Sequence, residues 1–163
     1  MTAAAPWLLI DFDSTLVTVE TLERLAEITL GAGPDAAALR AEVAAVTDAA
    51  MAGELDFGQA LARRLDLLKP TREQVAEVAR DLLDRISPSF ARNADFLKRH
   101  AERIWIVSGG FRETILPVAL RLGLNPDQVL ANDLVYDAEG RAVAVDGANP
   151  LSRAGGKVEA VQA

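Results

Sequence analysis

The sequence contains no cysteine, which removes disulfide frameworks, thiolate metal sites and cysteine nucleophiles together and leaves the redox compartment open. Histidine is nearly as scarce. The single one, His100, stands in a charged stretch and is expected to be a solvated side chain without a catalytic role. A basic excess is missing too: 17 Lys+Arg face 24 Asp+Glu, for a net charge of −7 and a pI near 4.7. Such a chain has no global attraction for nucleic acid or anionic lipid, so an anionic substrate must be met by local positive groups. No run of about 18 apolar residues exists, which argues against a transmembrane helix. Met1 to Pro6 has no basic region, and the apolar run Trp7-Leu8-Leu9-Ile10 is cut at once by Asp11 and Asp13, so no signal peptide is read there. The cytoplasm is the default location. Repeats, low-complexity tracts and long charge runs are also absent.

What is present is enough to fold. The 163 residues suit one domain, or one domain with a modest insertion. Half of them are hydrophobic and a quarter charged, which supports a sizeable core.

Trp7 to Ile10 is a short, wholly apolar run that ends in Asp11-Phe12-Asp13-Ser14-Thr15, the pattern of a strand buried on both faces. Ile104-Trp105-Ile106-Val107 repeats it and ends in Ser108-Gly109-Gly110. Two such strands suggest a parallel α/β sheet, in which ligands bind beyond the carboxyl ends of the strands. About ninety residues separate them, far more than a crossover needs. Their periodicity predicts helices near 19–30, 35–52, 57–68 and 71–86, with stripes Leu39/Val43/Val46/Ala50, Leu61/Leu65/Leu68 and Val75/Val78/Leu82. Thr71 followed by Gln74 fits a capping box. Pro88 is expected to open a crossover helix that turns Phe90, Ala94, Leu97 and Ala101 to the sheet. A further helix runs to about Leu122, with a kink expected at Pro117. Leu134-Val135-Tyr136 and Ala142-Val143-Ala144-Val145 flank Asp137-Ala138-Glu139-Gly140 and read as a β-hairpin.

Asp11 and Asp13 end a buried strand one residue apart. Two like charges that close need a divalent cation, a shared proton or a bend that separates their tasks; two aspartates that merely make a turn are the plain alternative.

Asp11-Phe12-Asp13-Ser14-Thr15-Leu16 after an apolar strand resembles the first motif of the haloacid dehalogenase-like phosphatases, and Ser108-Gly109-Gly110 after a second strand matches their second. The longer stretches Asp11 to Glu20 and Ser108 to Phe111 are similar to the phosphoserine phosphatase branch. The resemblance implies a Rossmann-like parallel-sheet core over 1–15 and 87–163 and an α-helical cap over 16–86. It implies that Asp11 is the nucleophile that forms an aspartyl-phosphate and Asp13 the general acid and then base. Mg²⁺ would be held by Asp11 and the Asp13 carbonyl. Ser108 with the amides of Gly109 and Gly110 would bind phosphoryl oxygens, and Lys157, in Gly155-Gly156-Lys157, would be the third motif. Glu20 stands where the family binds a substrate ammonium. Met51 to Phe57, followed by Arg64, resembles its substrate loop and carboxylate-binding arginine, although Arg63 next door leaves the register open.

The family's fourth motif, an acidic Gly-Asp-Gly-x-x-Asp loop after a further strand, has no counterpart beyond Lys157. Asp146-Gly147-Ala148-Asn149 imitates its letters but precedes the lysine, and the likeness is taken as coincidence. The expectations are therefore a truncated chain, or self-association through the open sheet edge beside Trp7 to Ile10, and either implies weakened Mg²⁺ binding and impaired activity. Phosphoserine hydrolysis leads. Another small phosphomonoester, transfer to an acceptor alcohol, or a non-catalytic phosphate-binding module remain as alternatives.

Overall fold

The computed structural model describes residues 6–162; the first five residues of the expected core, and Ala163, lie outside the described residues. Three strands, β1 (Leu8–Ile10), β2 (Ile104–Phe111) and β3 (Val129–Asn132), form a parallel sheet in the order β1-β2-β3. Ile10 lies opposite Ile106, and Ile106 opposite Val129. The two apolar runs are thus neighbours that point the same way, and the loops that follow them open at one edge. The α/β expectation holds.

Two features of the sheet differ from the pattern of the sequence. The first is β3, which the sequence does not announce: its apolar stretch Val129-Leu130-Ala131 is too short to signal a strand, and it becomes one by pairing with β2. The second is β1. Its apolar run predicts a strand buried on both faces, but Leu8 is 38% and Leu9 53% exposed, and Trp7 before them 63%. Among the described residues β1 pairs only with β2, so it forms the edge of the sheet. β2, by contrast, is almost wholly enclosed, and it continues past Val107 through Ser108-Gly109-Gly110 to Phe111.

Between β1 and β2 lie helices α1 (Thr21–Leu30), α2 (Pro34–Met51), α3 (Phe57–Leu68) and α4 (Arg72–Leu83), with ends close to those predicted. The α3 and α4 stripes are buried as their spacing requires; in α2 only Val43 and Val46 of the expected four are. The capping box opens α4, Thr71 N–H donating to Gln74 Oε1 at 2.9 Å and Gln74 N–H to Thr71 Oγ1 at 3.3 Å.

The predicted crossover helix is two helices, α5 (Pro88–Arg92) and α6 (Ala94–Arg99). The break falls at Asn93, whose side-chain amide donates to the Ser89 carbonyl at 2.8 Å and so competes with the backbone ladder. Leu97 is buried and Phe90, Ala94 and Ala101 pack against the core, as expected. α7 (Arg112–Arg121) continues through Pro117 as one element. The hairpin is β4 (Leu134–Tyr136) and β5 (Ala142–Val145), and α8 (Gly156–Gln162) closes the order. The helical bundle is joined to the sheet layer by α4 packing on α7 and by α3 packing on β5. No helix among the described residues is long and apolar enough to cross a membrane.

Candidate active site

The chain leaves β1 in a tight turn over Phe12–Leu16. Phe12 and Leu16 are fully buried and pin its two ends, so the polar residues between them are displayed above the sheet edge. Ser14 adopts φ 51°, a left-handed conformation unusual for a side-chain-bearing residue. Its hydroxyl donates to Glu20 Oε1 at 2.6 Å. Asp11 Oδ1 accepts from Phe12 N–H at 2.8 Å. The Asp13 carboxyl is tied differently: its Oδ1 accepts from Thr21 N–H at 2.9 Å and also from the Thr21 hydroxyl.

At the end of β2, Ser108 is 1% exposed and its Oγ accepts from Gly110 N–H at 3.0 Å. The Gly110 amide, expected to meet a phosphoryl oxygen with the Ser108 hydroxyl and the Gly109 amide, has this internal partner in the structure. Gly109 is needed for space, because a Cβ there would come within 2.9 Å of the Phe57 ring tip. Its carbonyl accepts from Asn132 Nδ2 at 2.9 Å, and the same amide reaches the Leu151 carbonyl at 3.0 Å. Asn132 therefore ties the end of β2 to the turn before α8.

α8 brings Lys157 to the first strand. Its Nζ lies 2.7 Å from Asp11 Oδ2, both side chains about half exposed.

A cavity of about 840 Å³ lies between these loops and the helices, and the ten residues to which the resemblance assigns a catalytic or binding role line it: Asp11, Asp13, Glu20, Met51, Phe57, Arg64, Ser108, Gly109, Gly110 and Lys157. Arg64 is nearly buried, donating from Nε to the Ala60 carbonyl at 3.2 Å and from Nη1 to Thr47 Oγ1 at 3.4 Å. Arg63 pairs with Glu42 at 3.4 Å on the surface, so of the two arginines it is Arg64 that lines the cavity. Met51 sits at the rim, 83% exposed. His100 is exposed beside Phe96 and away from the cavity lining. Asp146 is exposed and also outside it, accepting from Ala148 N–H at 2.9 Å.

Burial raises the Asp13 pKa above the ordinary carboxylate value; the Thr21 bonds work against this, and the nearby Glu20 and Asp11 charges add to it. Burial lowers the Arg64 pKa from its usual value, and Glu20 opposes that shift. The cavity thus gathers two carboxyl groups of unlike surroundings and a lysine together with a further acid, Glu20, and the Arg64 guanidinium. Sequence reasoning missed Thr21, Asn132 and Thr47. Thr47 was in principle accessible, four residues after Val43 on a helical stripe; Thr21 and Asn132 act through partners that only the fold supplies.

Among the described residues no group of three or more Asp, Glu, His or Cys side chains could hold a metal ion. The carboxylate expected to hold one, Asp11, lines the cavity with Oδ2 on Lys157, and Mg²⁺ is a cation that commonly takes only one or two carboxylates, with water and substrate phosphate completing its shell.

The chain is an α/β protein whose parallel sheet carries an Asp-x-Asp turn, a Ser-Gly-Gly segment and a lysine on one cavity. The family profile described as haloacid dehalogenase-like hydrolase matches residues 8–163, and the chain belongs to that family. It is 36% identical over 151 residues to the phosphoserine phosphatase of Drosophila melanogaster, covering 93% of this chain and 53% of that protein. The chloroplastic phosphoserine phosphatase of Arabidopsis thaliana is 38% identical over 152 residues, covering 93% and 49%. The chain thus spans about half the length of these curated relatives. Among solved structures, a phosphoserine phosphohydrolase-like protein from Francisella tularensis superposes with a TM-score of 0.81 at 27% identity over 97% of this chain and 71% of the other. A phospho-aspartyl intermediate analogue of phosphoserine phosphatase gives 0.63 at 31% identity, over 91% and 66%.

Proposed function

We propose that this chain hydrolyses a small phosphomonoester of the phosphoserine type through an aspartyl-phosphate. The observation that carries the reading is the Asp11–Lys157 pair on a cavity that Asp13 and Arg64 also line. Asp11 Oδ attacks phosphorus; the new O–P bond forms as the ester O–P bond breaks, and the leaving alkoxide takes a proton from Asp13. Asp13 then removes a proton from water, which attacks the acyl phosphate and releases inorganic phosphate with Asp11 restored. Lys157 offsets the charge of carboxylate and phosphate. Ser108 and the Gly109 amide donate to phosphoryl oxygens. Mg²⁺, held by the Asp11 carboxylate and the Asp13 carbonyl, would supply further neutralisation of that charge.

Phosphoserine also presents an ammonium and a carboxylate. Glu20 is suited to the first and the Arg64 fork to the second, and the names of the relatives support that choice. Met51 and Phe57 would close over the amino-acid moiety. We divide the chain into a core, 1–15 and 87–163, and a cap, 16–86. The two connections run side by side at that boundary, with Thr18 N–H on the Arg85 carbonyl at 2.9 Å and Ser87 N–H on the Leu16 carbonyl at 2.8 Å, which supports the division. The uncovered edge of β1, with Trp7 and Leu9 exposed, supports self-association there; light scattering that stays monomeric across a concentration series would remove that element.

The test is phosphate release from phosphoserine, with Mg²⁺ and with EDTA, by the wild type and Asp11→Asn. Turnover should require both the metal and the carboxylate. Wild-type activity in the variant, or indifference to EDTA, would overturn the mechanism, and phosphoserine binding without release would favour a non-catalytic phosphate-binding module.

A further inference from the structure

We propose that Thr21 is the positioning residue that orients the Asp13 carboxyl for proton delivery, and that the seating of helix α1 thereby governs the acid step; this rests on the phosphatase reading above. A carboxyl group can present either oxygen to a substrate unless something distinguishes them. Here Oδ1 takes two bonds from one residue, the Thr21 N–H at 2.9 Å and the Thr21 hydroxyl. The N–H can only donate, so Oδ1 must stay an acceptor, and the transferable proton belongs on Oδ2. That second oxygen faces the Ser-Gly-Gly turn, 3.3 Å from where a Cβ on Gly110 would stand. The free oxygen therefore looks toward the position of the phosphoryl group, and the tied one looks into the protein.

Thr21 is suited to such a role. It is 1% exposed, so its hydroxyl does not alternate between protein and water. It is also the first residue of α1, and Glu20, which precedes it, makes no side-chain cap for that helix. Asp13 takes the place of the missing cap from across the chain. The same turn is joined to the same helix start a second time by the Ser14 hydroxyl on Glu20 Oε1 at 2.6 Å. A displacement of α1 would release Oδ1 and free the carboxyl to rotate, so the helix that begins beside the proposed ammonium-binding Glu20 also sets the acid.

Two measurements on the chain and its Thr21→Val and Thr21→Ser variants test this. The first uses leaving groups. Serine leaves phosphorus as a strongly basic alkoxide that needs the proton, whereas 4-nitrophenolate leaves without one. Thr21→Val should lower kcat on phosphoserine by roughly tenfold or more, a part of what general acid catalysis supplies, with KM little changed and 4-nitrophenyl phosphate turnover nearly intact. Thr21→Ser should restore it. Equal losses on the two esters, or a serine variant no better than the valine variant, would overturn the proposal. The second is thermal unfolding of Thr21→Val in the wild-type and Asp13→Ala backgrounds. The melting losses should fail to add, because each change removes the same contact; additive losses with turnover intact would overturn the role of Thr21 alone. A wild-type chain inert toward both esters would overturn the phosphatase reading and, with it, the catalytic part of this proposal.

Discussion

Lys157 sets its ammonium 2.7 Å from Oδ2 of Asp11, joining the start of the last helix to the turn after the first strand. The pair depends on how closely α8 can approach, and that approach depends on Gly156: a Cβ at this position would fall 1.8 Å from the Pro150 carbonyl oxygen.

Lys157→Met should therefore reduce kcat/KM for phosphoserine by roughly 10–200-fold, the loss of one charge-assisted hydrogen bond to the reacting groups. The check is steady-state kinetics beside a melting curve. Because the lysine is half exposed, its removal should leave stability nearly unchanged, and wild-type turnover in the variant would take Lys157 out of the site.

Gly156→Ala should lower stability as well as turnover. Its added methyl meets backbone, which cannot step aside as a flexible side chain can, so the start of α8 must shift at a cost of about 1–3 kcal/mol. Thermal unfolding should register the loss and kinetics the displaced Lys157. An unchanged melting temperature would show that α8 starts elsewhere.

Removing the Arg64 guanidinium should harm phosphoserine far more than 4-nitrophenyl phosphate, which has no carboxylate to bind. The expected loss in kcat/KM is roughly 10–200-fold on the first substrate. Arg63→Ala, which gives up only a surface pair with Glu42, should behave as wild type on both. Equal losses on the two substrates for Arg64→Ala would assign that residue a purely structural part.

Asp81 offers a pH test of the helical bundle. It accepts from Arg24 Nε and Nη2, both at 2.9 Å, and from Arg85 Nε at 2.5 Å and Nη2 at 3.1 Å. The Arg85 bonds first, and then Arg24, hold its pKa below the ordinary 3.8. A folded-state value lower than the unfolded one contributes stability above pH 3.8, lost as the pH falls through the lowered value. Asp81→Asn should therefore melt lower than wild type at neutral pH, by a few degrees for an ion pair worth about 1 kcal/mol, and the gap should close as the pH falls below that lowered value. A gap independent of pH would remove the ion pair as its cause.

The helix of Phe57–Leu68 and the cap at Thr71 are legible in the amino-acid order because they rest on neighbours three or four residues apart. The choice between Arg63 and Arg64, left open in the sequence, agrees once the fold is known with the same periodicity: position 64 is three residues after Leu61 and four before Leu68, so the buried stripe runs through it. The hairpin around Asp137 to Gly140 is legible for a like reason, since its turn residues and both apolar flanks lie within a dozen positions.

Local signals in the chain therefore settle these elements, together with the order in which the chemistry-bearing residues appear: an acidic turn after one apolar run, Ser108-Gly109-Gly110 after another, and Lys157 near the end. Whatever depends on a partner remote in the chain waits for the fold. β3 is a strand because β2 lies beside it, and β1 is an exposed edge because only one neighbour among the described residues pairs with it. Asp13 presents Oδ2 because Thr21, eight residues on, holds Oδ1. Asn132 ties Gly109 to Leu151 because three separate segments converge on one buried amide. Hydrogen bonds and ion pairs act over a few ångströms of space, and folding alone sets which residues lie within that reach.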